Sequence, residues 1–277
     1  MLDHHPSSGS LLAPLKLALI VFLIGLIIAV AAGLYLRKTA ETTTVTYRAT
    51  GDNGGPATAA QIQTLCERLS KRIEIVGRDY SIQHFEFIPA EPGMVQLRLR
   101  SRKDVLPLLK EISLRYEASF HRAAEPDDPA ASKSSDYEEA QIVRRRTGLS
   151  NPDHVVEKKE PILLERQPLL TIAEFISVEY HTQGLDLTPV VTMRLRDGDA
   201  ATFRKITEDN LGKRIALVVA GKIVNAPKVV EVVPGPVIAF TSDYDFGEVR
   251  KLARLLQVGP LPCELKTTRI DVLRLRK

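Results

Sequence analysis

The chain has 277 residues, a charged fraction of 26%, an apolar fraction of 44% and a formal net charge of +4. These values describe an ordinary globular protein of one or two domains and exclude a disordered or fibrous chain. There is no Trp and no stripe of basic and aromatic residues, so nucleic acid is not an expected partner.

The first element is apolar. Leu17–Leu36, LALIVFLIGLIIAVAAGLYL, holds no charge or amide over twenty residues, and as a helix it would span roughly 30 Å, one bilayer core. A cleaved signal peptide is the alternative, with Ala29-Val30-Ala31 as the cleavage site. The run continues through Gly33-Leu34-Tyr35-Leu36 to Arg37-Lys38, a pattern that suits an interface. Residues 1–38 are therefore read as a retained single-pass membrane anchor. Lys16 on one side against Arg37 and Lys38 on the other weakly places the C-terminal side in the cytoplasm.

Beyond a strand at Thr44–Arg48, the spacing predicts a helix over Ala59–Val76. Ile62, Leu65, Cys66, Leu69, Ile73 and Val76 share one face, Thr58 and Gln61 form a capping box, and Gly77 ends the helix. Strands follow at Ile82–Ile88 and Val95–Arg100, the second alternating apolar and polar residues. A helix at Asp104–Leu114 and a strand at Ala118–Ala123 then complete β-α-β-β-α-β, a ferredoxin-like base over residues 43–124.

Residues 125–160 are charged and poor in large apolar side chains, and are expected to be a linker or flexible insert. Arg144-Arg145-Arg146 within it could face an acidic partner or lipid headgroups, but reads first as a solvated surface. From Pro161 the chain becomes globular again. A strand at Val190–Leu195 and a helix at Asp199–Asn210 precede a hairpin, Gly212–Pro227, with Ala220-Gly221 at its turn. This hairpin is no phosphate loop, because Thr207 stands where the first Gly of that loop belongs and Arg214 follows Lys213. A second hairpin is expected from Val229–Val233 and Val237–Thr241. A last helix, capped by Ser242 or Asp243, then runs to Val258 with Phe246, Val249, Leu252, Ala253 and Leu256 inward. The fold class is thus α+β: an anchor helix, a base, and a second α+β unit over residues 161–265 with two hairpins, followed by a basic tail over residues 266–277.

Five words in this second unit occur in a familiar order. They are Leu170-Thr171, Thr207 with Asn210 and Gly212-Lys213, Gly221 with Ala226-Pro227, Phe240-Thr241, and Gly259-Pro260-Leu261-Pro262. The unit resembles the head subdomain of the first extracytoplasmic domain of SecD, the protein-export subunit. RLSKRIEIVG and MVQLRLRSRKDVLPLLKEI are similar to that domain's base, although the Asp-Leu-x-Gly-Gly near the membrane is replaced by TVTYRATGDNGG. The resemblance spans about Thr43 to Leu265. It implies that residues 39–277 lie on the extracytoplasmic, periplasmic side of the inner membrane, against the flanking-charge hint. It also implies the Sec translocase or an unfolded polypeptide as partner. No apolar run after residue 38 approaches membrane length, so ion translocation by this chain is not expected.

The functional expectation is a membrane-anchored binding module, with a structural adaptor of another envelope complex as the alternative. The candidate binding surface is Pro234, Gly235, Pro236 and Tyr244, while Phe240 and Phe246 read as core. An enzyme is the weakest reading. His84 and His121 could approach on neighbouring strands, and Glu208-Asp209 sits near the first hairpin, but no nucleophile–base–orienter set appears. No cofactor or metal is expected. Cys66 and Cys263 lie outside any CxxC, and Cys66 reads as a buried thiol.

Overall fold

The structure, a computed structural model, describes residues 40–88, 90–148, 151–184, 188–241 and 245–273. The apolar run Leu17–Leu36 lies outside the described residues. Among those described, no helix is long and apolar enough to cross a membrane.

Four helices and three antiparallel sheets make up the described chain, an α+β fold rich in strands. The first sheet holds β1 (Glu41–Thr50), β2 (Ile82–Ile88), β3 (Met94–Ser101) and β13 (Glu264–Leu273), in the order β13-β1-β3-β2. Its alternation is direct: Val95, Leu97 and Leu99 of β3 are buried and stand opposite Tyr47, Val45 and Thr43 of β1. α1 (Ala59–Val76) follows β1. Its start is fixed by the expected capping box, with Gln61 N–H donating to Thr58 Oγ1 and Thr58 N–H donating to Gln61 Oε1.

The base closes differently from the sequence expectation. After β3 come α2 (Leu106–Ile112) and β4 (Ala118–Ala124), but β4 leaves the first sheet. Its place beside β1 is taken by β13, and the second helix of the ferredoxin-like unit is α4 (Phe246–Val258), which packs on α1. The unit is therefore β1-α1-β2-β3-α4-β13, with residues 102–245 inserted between β3 and α4. The supposed basic tail, 266–277, supplies most of the closing strand, so residues 264–273 belong to the base. The physical reason lies in exposure. Ala118 and Phe120 face a core alongside Leu217 and Val219, which suits a central strand, whereas β13 is mostly exposed, as an edge strand can be.

The second sheet has the order β11-β10-β4-β6-β5, with β7 (Leu170–Ile172) also paired to β4. β5 (Tyr137–Gly148) and β6 (Asn151–Glu165) occupy the stretch expected as a linker, 125–160, and pair along almost their whole length. Few apolar residues suffice here because they collect in one place. Ile142, Ile162 and Leu164 join Ala123, Ala216, Ile223 and Ala226 in a small separate core. β10 (Arg214–Val219) and β11 (Lys222–Asn225) form the expected hairpin. Its two-residue turn, Ala220-Gly221, has positive φ at both positions, 50° and 74°, as a primed hairpin turn requires.

The third sheet is β12-β9-β8, from β8 (Ser177–Gln183), β9 (Thr188–Arg194) and β12 (Val237–Thr241). The expected second hairpin is not formed. β12 pairs with β9, and Val229 instead exchanges backbone hydrogen bonds with Gly212 and Lys213. Pro-Gly-Pro directs the chain away from residues 229–233, so the two runs diverge.

One buried cation ties these parts together. Arg72 of α1 is fully buried and donates to Ile112 O and Leu114 O, each at 2.6 Å, and to Gly259 O at 2.7 Å. Its guanidinium also lies 4.8 Å from the centre of the Tyr116 ring. Burial lowers its pKa from 12.5 to about 10, so it is still a cation at neutral pH. Gly259 ends α4 with φ 79°, a conformation that favours glycine and turns its carbonyl towards α1. Arg68 donates to the next carbonyl, Pro260 O, and pairs with Glu174, which also holds Arg196 at 2.8 Å.

Candidate functional site

The motif words of the second unit resolve into hydrogen bonds that shape backbone. Asn210, at the end of α3 (Asp197–Asp209), is buried; its Nδ2 donates to Ile206 O, and its Oδ1 accepts from Arg122 Nε at 2.9 Å. Thr207 Oγ1 donates to Arg204 O and accepts from Val233 N–H. Asn225 Nδ2 donates to Thr241 O, joining β11 to β12. These residues position strands, and Glu208 and Asp209 beside them are exposed at the helix end.

The histidines do not meet. His84 lies on β2 in the first sheet and His121 on β4 in the second. Both ring nitrogens of His121 are engaged, Nδ1 with Glu165 O at 2.8 Å and Nε2 with Ser119 Oγ at 2.9 Å. Among the described residues, no group of three or more His, Cys, Asp or Glu is arranged to hold a metal. A cavity of about 210 Å³ opens beside the hairpin turn, lined by Arg115, Glu117, Ser119 and Gly221. A wider one of about 520 Å³ lies between β5, β6 and the segment around Ala131. Neither brings catalytic groups together among its lining residues.

The surface candidates divide. Tyr244 lies outside the described residues. Pro234 is exposed, and Gly235 and Pro236 are half-buried. Pro236 O accepts from Leu195 N–H at 2.7 Å, so this turn launches β12 rather than tipping a hairpin. Phe240 is core as expected, at 8% exposure. Phe246 is not, at 41%. The expectation of an inward Phe246 fails because α4 begins there, capped by Asp245 through Glu248 N–H. The buried stripe starts one turn later, at Val249.

Phe246 has one specific neighbour. Its ring packs edge-on to Tyr180 of β8, with centroids 5.6 Å apart. β8 is the edge of its sheet, and among the described strands only β9 pairs with it. Val178 N–H points away from β9 and donates to Gln257 Oε1 at 2.6 Å. By the period of a strand, Tyr180 and Thr182 turn their backbone groups the same way. Ile176, just before the strand, is 56% exposed. The result is a strand edge that no second described strand pairs with, bordered by α4 at Val178 and flanked by an aromatic pair and an aliphatic side chain. Sequence reasoning missed it because SVEYHTQ carries no clear alternation of apolar residues.

Comparison with known proteins adds to this geometry. Residues 145–263 match the family model described as the SecDF P1 head subdomain. Protein translocase subunit SecD of Acidaminococcus fermentans is 32% identical over 168 residues, covering 50% of this chain and 39% of that one. SecD of Aquifex aeolicus is 33% identical over 110 residues, covering 39% and 21%. This chain thus aligns with well under half the length of either relative. Among solved structures, SecDF in a super-membrane-facing form aligns with TM-score 0.52 at 18% identity, over 85% of this chain and 30% of that one. A second structure, of a membrane component SecDF that enhances protein export, aligns with TM-score 0.51 at 17% identity, over 82% and 99%. At these identities the structural matches establish the fold. With the sequence matches, they make this chain SecD-like, carrying a P1-type region.

Proposed function

We propose that this SecD-like chain is a membrane-anchored extracytoplasmic module that binds extended polypeptide during protein export, at the β8 edge. The observation that carries the proposal is the β8 edge beyond Val178, which no second described strand pairs with, beside the Tyr180–Phe246 pair. An extended segment adding to a sheet edge gains main-chain hydrogen bonds that do not depend on its sequence, and pockets at alternate positions grip side chains. That combination suits a client whose sequence varies. The modest net charge favours no class of client, so affinity must come from main-chain and apolar contacts. The site has no catalytic role in this reading.

The placement rests on the SecD likeness and on the apolar run Leu17–Leu36, and a reporter fused at Lys277 that is active only in the cytoplasm would overturn it. The binding role is tested with a fluorescent, permanently unfolded polypeptide titrated with the purified chain. The double variant Tyr180→Ala with Phe246→Ala weakens binding at least about tenfold, the loss of roughly 1.4 kcal/mol. Unchanged affinity in that variant sinks the site. Pull-down from envelope extracts addresses the partner: recovery of the translocase supports export, and recovery of another complex supports the adaptor reading.

A further inference from the structure

One row of residues crosses the first sheet at the end where the chain enters it. Leu273 of β13 stands opposite Thr42 of β1, Thr42 opposite Arg100 of β3, and Arg100 opposite His84 of β2. Directly opposite residues share a face, so Leu273 and Arg100 lie on the face away from the buried Thr43, Val45 and Leu99. Arg100 is exposed, as are Arg102 and Lys103 just beyond the end of β3. The same corner carries apolar side chains that the core does not cover: Leu273 at 65% exposure, Val272 at 50% and Ile270 at 41%. Leu106, at the start of α2, is half-exposed as well. The acids here are few and mostly engaged. Asp104 Oδ1 accepts from Leu106 N–H at 2.9 Å, Asp271 is held by Arg269 at 2.8 Å, and Glu41 begins β1. Lys103 Nζ donates to the carbonyl oxygen of Asp79, whose carboxylate is held by Lys251 at 3.3 Å.

The sequence on either side adds to this charge. Arg37-Lys38 precedes β1, and Arg274, Arg276 and Lys277 follow Leu273. Six residue steps separate Leu36, the last of the apolar run, from Thr42. The row therefore lies within about 20 Å of the end of that run. We propose that this corner of the base docks on an anionic phospholipid surface. Ile270, Val272 and Leu273 enter the headgroup layer, while Arg100, Arg102 and Lys103 meet phosphates. The proposal rests on the membrane-anchored reading above, which supplies the tether that keeps corner and bilayer within reach. Each Lys or Arg close to an anionic surface favours the docked state about fivefold. The apolar side chains add burial that a purely electrostatic contact lacks. A second copy of this chain fits the corner less well, because its own corner would bring the same positive charge.

The chain contains no Trp, so Leu273→Trp places a single fluorophore in the corner. Lys266→Trp places one near the far end of β13, opposite Arg48, as the control. Each full-length variant is reconstituted at low protein-to-lipid ratio into vesicles of phosphatidylcholine alone or mixed with phosphatidylglycerol. A lipid brominated close to its headgroup serves as quencher. In the mixed vesicles the emission of Leu273→Trp shifts to the blue and is quenched, molar salt reverses both, and Lys266→Trp shows neither. Adding Arg100→Gln, Arg102→Gln and Lys103→Gln lowers the ratio of quenched to unquenched protein about fivefold per charge removed. Val272→Trp takes the place of Leu273→Trp if that variant does not fold cooperatively. Equal quenching in the two lipid mixtures, or none in either, overturns the proposal. A blue shift that grows with the protein-to-lipid ratio means that a second copy covers the corner, and overturns it too. Alkaline carbonate washing reads the anchor separately. Protein that washes out, yet is quenched when mixed with anionic vesicles, overturns the anchored reading and supports the docking. Protein that stays in the vesicles unquenched overturns the docking alone.

Discussion

Replacing Arg72 by Ala tests how the base holds the inserted region. Three carbonyl oxygens, of Ile112, Leu114 and Gly259, take their bonds from this one buried guanidinium. Each acceptor left without a partner costs about 1–3 kcal/mol, less where water enters the space vacated. The stacking of the cation on Tyr116 adds about 1 kcal/mol. Against this, the variant no longer bears the cost of burying a cation without a carboxylate, which already draws Arg72 down to about 10. The balance is a loss of about 3–5 kcal/mol. Arg72→Lys recovers only part of it, since an ammonium cannot fork to three carbonyls on two segments. Urea unfolding followed by circular dichroism gives the loss, and hydrogen exchange at the Gly259 amide locates it. A loss below about 1 kcal/mol in the Ala variant would refute the reasoning.

Other expectations follow from individual sites. Phe246→Ala changes stability by less than about 1 kcal/mol, since the ring is 41% exposed; a loss of 3 kcal/mol in denaturant would mean it is core after all. Ala220→Gly stabilises the first hairpin by about 0.5 kcal/mol, because Ala220 sits at φ 50° in a primed turn; a lower melting midpoint would contradict this. Ending the chain after Cys263 removes β13 and exposes β1, so the fragment should lose the cooperative transition of the base rather than merely a tail. Burial pushes Tyr47 from 10.0 up to about 12. Between those values the unfolded chain releases a proton that the folded one keeps, so Tyr47 lowers stability by about 1.4 kcal/mol per pH unit there. Arg72, depressed by burial, acts with the opposite sign from about 10 upward. Tyr47→Phe should therefore gain stability relative to the parent as pH rises from 10 to 12, and a constant difference across that window would be the contrary result.

How much of this was legible depended on where the local pattern was self-sufficient. α1, β2, β3 and the β10–β11 hairpin could be read directly, because capping residues, alternation and a Gly turn agreed within short windows. β13 could not. An extra residue in β13, Thr268, facing the step from Thr46 to Tyr47 in β1, lets its apolar set switch parity, with Leu265 opposite Ala49 but Ile270 and Val272 opposite Val45 and Thr43. A strand whose period shifts midway looks like a charged tail. β5 and β6 were hidden for another reason: their few apolar residues gain meaning only beside Ala216 and Ile223 from a later hairpin. At the candidate site, the Pro-Gly-Pro turn was visible as composition. The edge position of β8 was not, since edges are properties of a sheet.

The pairing of β1 with β13 also sets an order in time. Thr268 donates to Thr46 O across a separation of 222 residues. A chain emerging from its N-terminus therefore makes β1 early and must wait for nearly everything else before its outer edge is covered. Contacts of such range are slow to form, because their ordering cost precedes their reward. Through that interval the growing chain presents an open strand edge, the surface on which chains misassociate. The last residues of the base thus work as a completion signal: a product cut short at any point before them keeps that edge exposed, and the finished one does not.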